Sequence, residues 1–110
     1  MIYEMRRYEC LPGKLADLNE LMDKVAVPMF EKQGMTVVGA WKPVVGDDEN
    51  TLVYMLAYED MGARQKMWAA FYSDPEWQKG RAEITAKVGG PIVAKMTGVF
   101  LEPTSYSPLK

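Results

Sequence analysis

The sequence predicts one α+β domain with a ferredoxin-like βαββαβ order, in which a four-stranded antiparallel sheet carries helices on one face. Three observations favour this fold: short runs rich in β-forming residues, two longer segments with apolar residues at helical spacing, and turn residues between them. The chain has 110 residues, of which 48% are hydrophobic and 25% charged, as in a single folded domain. We assign residues 1–102 to this domain and residues 103–110 to a C-terminal tail.

The first half of the chain is predicted to form a strand, a helix and a second strand. Residues 2–9 alternate well enough to form the first strand. Residues 14–32 carry an apolar stripe at steps of three and four, which indicates a helix. We expect Pro28 to kink or shorten this helix near its end, and Gly34 to stop it. Residues 35–42 are rich in β-formers and are predicted to form the second strand.

The second half is predicted to form a strand, a broken helix and a last strand. Residues 51–58 give the strongest strand pattern in the chain. Asp60 is a good N-cap for a helix over residues 61–72. At Asp74 the helix is expected to start again, because an Asp cap is followed by proline at the first helical position and then by glutamate. A Gly-Gly-Pro sequence ends it before the last strand, residues 92–101.

This topology leaves one face of the sheet without helices. Short right-handed crossovers place both helical segments on the same side of an antiparallel sheet. Residues 51–58 are nevertheless apolar toward both sides, which is typical of a strand buried on both faces. A second copy of the chain is the simplest cover for an exposed apolar face. We therefore expect a homodimer, a dimeric α/β barrel in which two sheets face each other across a ligand-sized cavity.

Composition excludes several classes of function. The chain has no histidine and a single cysteine, Cys10, so the Ser-His-Asp and Cys-His catalytic groups are excluded. The same lack of ligands leads us to expect no cofactor and no metal, including zinc, copper and haem. Since no histidine is present to activate Cys10, we expect an inert thiol rather than a nucleophile. The formal net charge is -2 and no basic block occurs, so we expect no nucleic-acid partner.

The first residues and the hydropathy pattern indicate where the protein works. Charged side chains interrupt the N-terminal residues, where a signal peptide would need an apolar stretch. No apolar run approaches the roughly 18 residues that span a bilayer. We therefore expect a cytoplasmic protein with no membrane partner.

One face of the first strand carries the candidate ligand-binding residues. Glu4, Arg6 and Tyr8 share this face, and we expect it to be turned toward the dimer cavity, with Tyr54 and Trp41 on neighbouring strands as walls. In this hypothesis Arg6 holds an anionic or carbonyl oxygen, Glu4 orients Arg6 or acts as a base, and the aromatic rings flank a planar ligand. The alternative is a Glu4–Arg6 ion pair that bridges two subunits and binds nothing. No catalytic residue is assigned.

One further motif has two interpretations. Asp47, Asp48 and Glu49 are three adjacent carboxylates of the kind that bind hard cations. Adjacent side chains point in different directions, however, and the spacing of an EF-hand loop is missing. We therefore interpret the segment as a solvated turn.

Several short motifs together resemble the NIPSNAP family. The strand Ile2-Tyr3-Glu4-Met5-Arg6-Arg7-Tyr8 and the turn Pro12-Gly13-Lys14 are similar to the start of that family. Further similarities follow in order: Val38-Gly39-Ala40-Trp41, Ala57-Tyr58-Glu59-Asp60 with Arg64, Asp74-Pro75-Glu76-Trp77, and Ser107-Pro108-Leu109. Two positions differ, since Met5 stands where leucine is usual and Tyr54 where members often carry histidine.

The resemblance implies the dimeric α/β-barrel superfamily. Its relatives include cofactor-independent monooxygenases of antibiotic biosynthesis, haem-degrading enzymes and chlorite dismutases. Histidine-dependent chemistry is not expected here, because Tyr54 replaces the family's histidine. Two functions are consistent with these observations. One is a protein that binds or converts a small aromatic or carbonyl compound, without a cofactor, in the barrel cavity. The other is a non-catalytic homodimer with a structural or interaction role.

Overall fold

A computed structural model describes all 110 residues and shows a single sheet with helices on one side. The strands are β1 (Ile2–Cys10), β2 (Thr36–Trp41), β3 (Thr51–Tyr58) and β4 (Val93–Leu101). The helices are α1 (Leu15–Leu21), α2 (Val27–Lys32), α3 (Met61–Ser73) and α4 (Pro75–Val88), with a π-helical turn (Met22–Ala26) between α1 and α2. The predicted βαββαβ order is confirmed.

The sheet has the strand order β2-β3-β1-β4, with every neighbouring pair antiparallel. β1 is therefore central, and β2 and β4 form the two edges. In the register of β1 with β3, Arg6 lies opposite Tyr54 and Glu4 lies opposite Leu56. In the register with β4, Arg6 lies opposite Gly98. Directly opposed residues share a face, so these side chains project from the same side of the sheet.

The first helix is interrupted where the sequence places its proline. A proline at position 28 cannot donate a hydrogen bond to the carbonyl one turn earlier, and its ring crowds that carbonyl. The π-helical turn Met22–Ala26 immediately precedes α2, and Pro28 lies in the first turn of α2. The wider π turn accommodates the proline without ending the helix. Gly34 then stops the segment with a φ of 86°.

The second helical segment follows its predicted caps. The Asp60 side chain accepts a hydrogen bond from the backbone N–H of Ala63 at 2.7 Å, and α3 begins at the next residue. The Asp74 side chain accepts one from the backbone N–H of Glu76 at 2.9 Å and starts α4. Gly89, with a φ of 85°, ends α4. The predicted break and restart are both confirmed.

Aromatic rings form the centre of the core between the sheet and the helices. Phe30 of α2 stacks on Phe71 of α3 with ring centroids 4.9 Å apart, and it lies 5.9 Å from Tyr54 of β3. Trp68 packs edge-on against Phe30 at 5.3 Å. β3 is buried along most of its length. No helix is long and apolar enough to cross a bilayer.

The opposite face of the sheet carries no helix, as predicted. Trp41 lies on this open face, flat over Gly39, where an added Cβ would come within 2.6 Å of the indole. Val99 and Leu101 of β4 also point to this side, and half of the Val99 surface is exposed. Only the C-terminal tail lies against the open face, near Tyr3. The molecule is consequently flat, with a smallest dimension of 18 Å.

Candidate functional site

A cavity of about 680 Å³ lies between the helices and the β1–β4 side of the sheet. Fourteen of its nineteen lining residues are hydrophobic. Few lining residues carry polar groups. They are Tyr8 on the sheet, Gln78, Arg81 and Thr85 on α4, and the aromatic residues Trp68, Tyr72 and Trp77. Arg81 is the single charged residue of the lining. An apolar cavity of this volume with few polar groups matches the usual composition of a small-molecule site.

The π-helical turn forms part of the cavity wall. Met22 and Ala26, its first and last residues, are both lining residues, as is Leu21 just before it. A π-helical turn has a wider backbone than an α-helix, and such turns occur frequently at functional sites. In this chain the turn that accommodates Pro28 also shapes the cavity.

A buried carboxylate behind the cavity collects four hydrogen bonds from three side chains. Glu4, of which 4% is exposed, accepts at Oε1 from the Tyr58 hydroxyl at 2.8 Å and from Arg64 Nε at 3.0 Å. At Oε2 it accepts from Arg6 Nη1 at 3.0 Å and from Arg64 Nη2 at 3.1 Å. Trp68 Nε1 donates to the Tyr58 hydroxyl at 2.8 Å. We call these five residues together with Tyr8 and Tyr54 the polar network.

Arg6 connects this carboxylate to the cavity wall. Its Nε and Nη2 donate to the Tyr8 hydroxyl at 3.2 and 3.0 Å. The Tyr8 and Tyr54 hydroxyls are 2.7 Å apart and share a hydrogen bond. The guanidinium lies over the Trp68 ring, with Cζ 4.6 Å from the centroid. Arg6 is therefore directly behind two lining residues, Tyr8 and Trp68, and is held on several sides.

The network keeps its acidic and basic members charged. Burial alone would raise the pKa of Glu4, but the hydrogen bonds from Arg64 and Tyr58 and the positive charge of Arg6 lower this pKa below its usual value. Burial disfavours the charge on Arg6, yet the oxygens of Tyr54, Tyr8 and Glu4 raise its pKa above the usual value. Burial and the neighbouring Tyr8 raise the pKa of Tyr54, so its phenol stays protonated. The site thus combines fixed charges with a protonated phenol.

The structure brings four of the five predicted site residues together. Glu4, Arg6, Tyr8 and Tyr54 form one hydrogen-bonded group, but it faces the helices of its own subunit rather than the open face. Trp41 projects to the open face, because it lies opposite Val53. The side chain of Val53 points to the side of the sheet opposite to that of its neighbour Tyr54. The grouping of Trp41 with Glu4, Arg6 and Tyr8 is therefore corrected. Ligand binding by the other four residues stays a prediction.

Three members of the network were not predicted as site residues. Arg64, Tyr58 and Trp68 complete the coordination of Glu4 and Arg6. The sequence spacing could have indicated two of them. Tyr58 shares one face of β3 with Tyr54, and Arg64 lies one helical turn before Trp68. Without the packing of α3, nothing in the sequence indicated that this helix face meets Glu4.

The other candidate residues have structural partners or are buried. Asp47 pairs with Arg7 on the open face, at 2.6 Å, and Asp48 accepts from the backbone N–H of Asn50. No group of three His, Cys, Asp or Glu side chains is placed to hold a metal ion. Cys10 is buried, and burial with the nearby Asp48 raises the pKa of its thiol.

Comparison with known families tests the resemblance seen in the sequence. The family model described as NIPSNAP matches residues 3–108. The chain belongs to the NIPSNAP family. Among curated proteins, this NIPSNAP chain is 24% identical over 109 residues to Protein NipSnap homolog 1 of Danio rerio, a match that covers 99% of the chain and 36% of that relative. The chain thus spans about a third of the length of the curated relative it matches.

Solved structures confirm the fold of this NIPSNAP family member. An uncharacterized NIPSNAP domain protein from Burkholderia xenovorans superposes with a TM-score of 0.82 at 24% identity, covering 98% of this chain and 99% of that one. A putative antibiotic biosynthesis monooxygenase from Nitrosomonas europaea superposes with a TM-score of 0.62 at 16% identity, covering 94% and 98%. At these identities the similarity shows the ferredoxin-like fold alone.

Proposed function

We propose that this protein binds a small organic compound, with a planar apolar body and a carbonyl or related oxygen, in the cavity between its helices and its sheet. The observation that carries the proposal is the combination of apolar walls with a buried, hydrogen-bonded Tyr8 among the lining residues. The space is an apolar cleft of about 680 Å³ that is partly open to solvent, which is within the size range of small-molecule sites. A ligand of aromatic size accounts for both features.

The fold neighbours support the same conclusion by analogy. The Nitrosomonas europaea protein is described as a putative antibiotic biosynthesis monooxygenase, an activity that requires a site for an organic substrate. This chain shares the fold, and fold alone does not carry a function. We therefore base the proposed binding of an organic compound on the cavity and the polar network of this chain.

A ligand screen with a blocked cavity tests the proposal. We expect members of a library of aromatic and carbonyl compounds to raise the melting temperature of the protein increasingly as their concentration passes the dissociation constant. Ala82 of α4 lines the cavity, so Ala82→Trp should fill its mouth and abolish the shift. Ala86, on the same helix and outside the lining, supplies the control Ala86→Trp, which should keep the shift. Equal shifts in both variants would show that the compounds bind elsewhere.

We further propose that a second copy of the chain covers the open face of the sheet. Trp41, Val99 and Leu101 leave 53%, 50% and 39% of their surfaces exposed on this side. The radius of gyration is 14.6 Å, whereas a compact chain of this length has about 13 Å. Apolar side chains on the broad side of a flat molecule favour a partner with the same surface. If the protein binds no ligand, its proposed function is that of a structural homodimer.

A further inference from the structure

The sheet side of the cavity offers a ligand no free polar group. The Tyr8 oxygen accepts from Nε and Nη2 of Arg6 at 3.2 and 3.0 Å. Because both lone pairs are used, the Tyr8 hydroxyl donates its hydrogen to the Tyr54 oxygen, 2.7 Å away. The indole N–H of Trp68, another lining residue, donates to Tyr58 at 2.8 Å. A polar group of a ligand therefore has to be recognised from another wall.

Helix α4 turns a polar stripe toward the cavity. Four of its lining residues follow the spacing of one helix face: Gln78, Arg81, Ala82 and Thr85. The neighbouring stripe holds the helix against the core, since the Trp77 ring lies 4.4 Å from that of Phe71 and Ile84 is buried. The two stripes separate the structural role of α4 from its contribution to the cavity wall.

Arg81 is the charged residue of this stripe and has no carboxylate partner in the chain. The other arginines, Arg6, Arg7 and Arg64, each pair with a carboxylate at 3.0 Å or less. The residues one turn away from Arg81 on α4 are Trp77, Gln78, Ile84 and Thr85. None of them is acidic, so no intrahelical ion pair forms, and the cavity lining contains no acidic residue either. Arg81 therefore keeps its N–H donors for a group from outside the chain.

An unpaired guanidinium beside apolar walls has a defined chemical preference. Guanidinium is weakly hydrated and binds a carboxylate through two parallel hydrogen bonds, so it suits an oxyanion that is partly removed from water. A cleft that carries one sign of charge between apolar walls also concentrates ions of the opposite sign. Thr85 brings a hydroxyl donor within one helical turn of Arg81 on the same stripe. This wall is therefore suited to an anionic oxygen.

We infer that the cavity takes a planar aromatic carboxylate, with its apolar body between the sheet and the helices and its carboxylate bound by Arg81 of α4. This inference rests on the proposed ligand-binding function and specifies the ligand class and the wall that recognises its charged end. The buried rings of Phe30, Trp68 and Phe71 line the inner part of the cavity, whereas Arg81 is exposed to solvent. The acid group of the ligand thus lies toward the opening.

A set of probes that share one planar body tests the inference. Cinnamate is an anion at neutral pH, cinnamamide is neutral, and cinnamylamine is a cation. Their dissociation constants are measured by isothermal titration calorimetry on the full chain. We expect cinnamate to bind about fivefold more tightly than cinnamamide, which is between the effects of an exposed ion pair and of a buried charged hydrogen bond. The ratio of the two constants is the readout, because a change in stability weakens both probes together.

Variants of α4 locate the source of the preference. Arg81→Met removes the charge and should bring the ratio close to one, while cinnamamide binds as before. Arg81→Lys keeps the charge without the planar fork and should keep part of the preference. Arg81→Glu should reverse it, so that cinnamylamine binds more tightly than cinnamate. Lys79→Met is the matched control, because it removes a positive charge from the same helix at a residue outside the lining, and it should leave the ratio unchanged.

Several outcomes would overturn the inference, and they separate it from the proposed function. If the wild type binds cinnamate and cinnamamide equally, or if the compound screen gives shifts that depend on Ala82 and cinnamate does not bind, the anion preference is wrong and the proposed function stands. If the preference persists in Arg81→Met, or if Lys79→Met also abolishes it, the assignment to Arg81 is wrong. If no probe binds and the screen gives no shift that depends on Ala82, the inference and the proposed function both fail.

Discussion

Glu4 is the residue on which the polar network depends. Its two oxygens accept from Tyr58 on β3, from Arg64 on α3 and from Arg6 on its own strand. A carboxylate with 4% of its surface exposed would ordinarily be too costly to keep ionised. The four hydrogen bonds and two positive charges offset that cost and lower the pKa of Glu4 in the folded state. Part of the stability of the fold is therefore linked to the ionisation of one side chain.

We predict that Glu4→Gln removes part of the acid sensitivity of the protein. The folded-state pKa of Glu4 lies below the unfolded value of 4.5, so ionised Glu4 stabilises the fold fully above that pH. This stabilisation is lost as the pH falls through the lower folded-state pKa. Denaturant midpoints measured at several pH values from about 6 to about 3 should fall more steeply for the wild type than for Glu4→Gln.

The control for this prediction is an exposed carboxylate. Glu59 makes no ion pair, and Glu59→Gln should leave the slope of stability against pH unchanged. If Glu4→Gln has the wild-type slope, folding does not lower the pKa of Glu4 and the described role of the network is wrong.

The sequence predicted this cluster in part. Alternation along β1 placed Glu4, Arg6 and Tyr8 on one face, and that placement needs nothing but the period of a strand. It did not decide whether the face meets helices or a second sheet, because both faces of β3 are apolar. Arg64 was out of reach for a different reason, since its contact with Glu4 joins residues sixty positions apart through the packing of α3.

At the scale of elements, one close approach fixes α4 against the π-helical turn. Gly80 of α4 faces Val25, and a Cβ built at Gly80 would lie 2.6 Å from Val25 Cγ1 and 3.0 Å from Cγ2. Valine has little rotamer freedom in a helix, so its side chain cannot turn away. The glycine is thus required for packing rather than for backbone conformation. The same contact sets the distance between two walls of the cavity.

We predict that Gly80→Ala destabilises the protein by about 1–3 kcal/mol, because the added methyl group overpacks the contact with Val25. In an exposed helix the same change would stabilise by about 1 kcal/mol. The double variant Gly80→Ala/Val25→Ala should recover a large part of the loss, since it removes the clashing methyl groups. Urea midpoints of the wild type and of the single and double variants give this comparison. A higher midpoint for Gly80→Ala alone would contradict the close approach.

The elements themselves were largely predictable, and their exceptions have physical reasons. Asp60, Asp74 and Gly89 act through local hydrogen bonds and backbone conformation, which neighbouring residues determine. Pro28 predicted that the first helix is disturbed near its end, but not which kind of irregularity forms. A kink, an early stop and a π-helical turn can each accommodate the missing N–H of Pro28. The π-helical turn is favoured here because it buries Met22 and Ala26 in the core.

At the scale of the whole molecule, the open face decides the expected assembly. Stable dimers bury about 800 Å² on each partner, and a four-stranded sheet presents a surface broad enough to supply it. The face is uneven: Arg7, Glu9 and Asp47 form ion pairs at one end. At the other end Met55 and Leu101 meet the tail. Such a pattern gives a partner both an apolar contact and charged groups that fix its orientation.

We predict that the protein sediments at micromolar concentration with about twice its chain mass of 12.4 kDa. Val99→Glu should shift it to the mass of one chain, because a carboxylate would be buried in the interface. Met96→Glu is the control, since Met96 is 59% exposed on the other face of the same strand. A wild-type protein that sediments as a single chain would contradict the proposed dimer, and so would a Val99→Glu variant that remains dimeric.

The exposed edge of β4 affects the tendency of the protein to aggregate at high concentration. A nine-residue outer strand presents backbone N–H and C=O groups that no neighbouring strand occupies. Free edges of this kind are templates for uncontrolled growth into insoluble fibrils. The strand contains no proline, and Lys95 is its one charged residue. Lys95 is therefore the one charge within this strand that opposes strand-to-strand polymerisation along the edge.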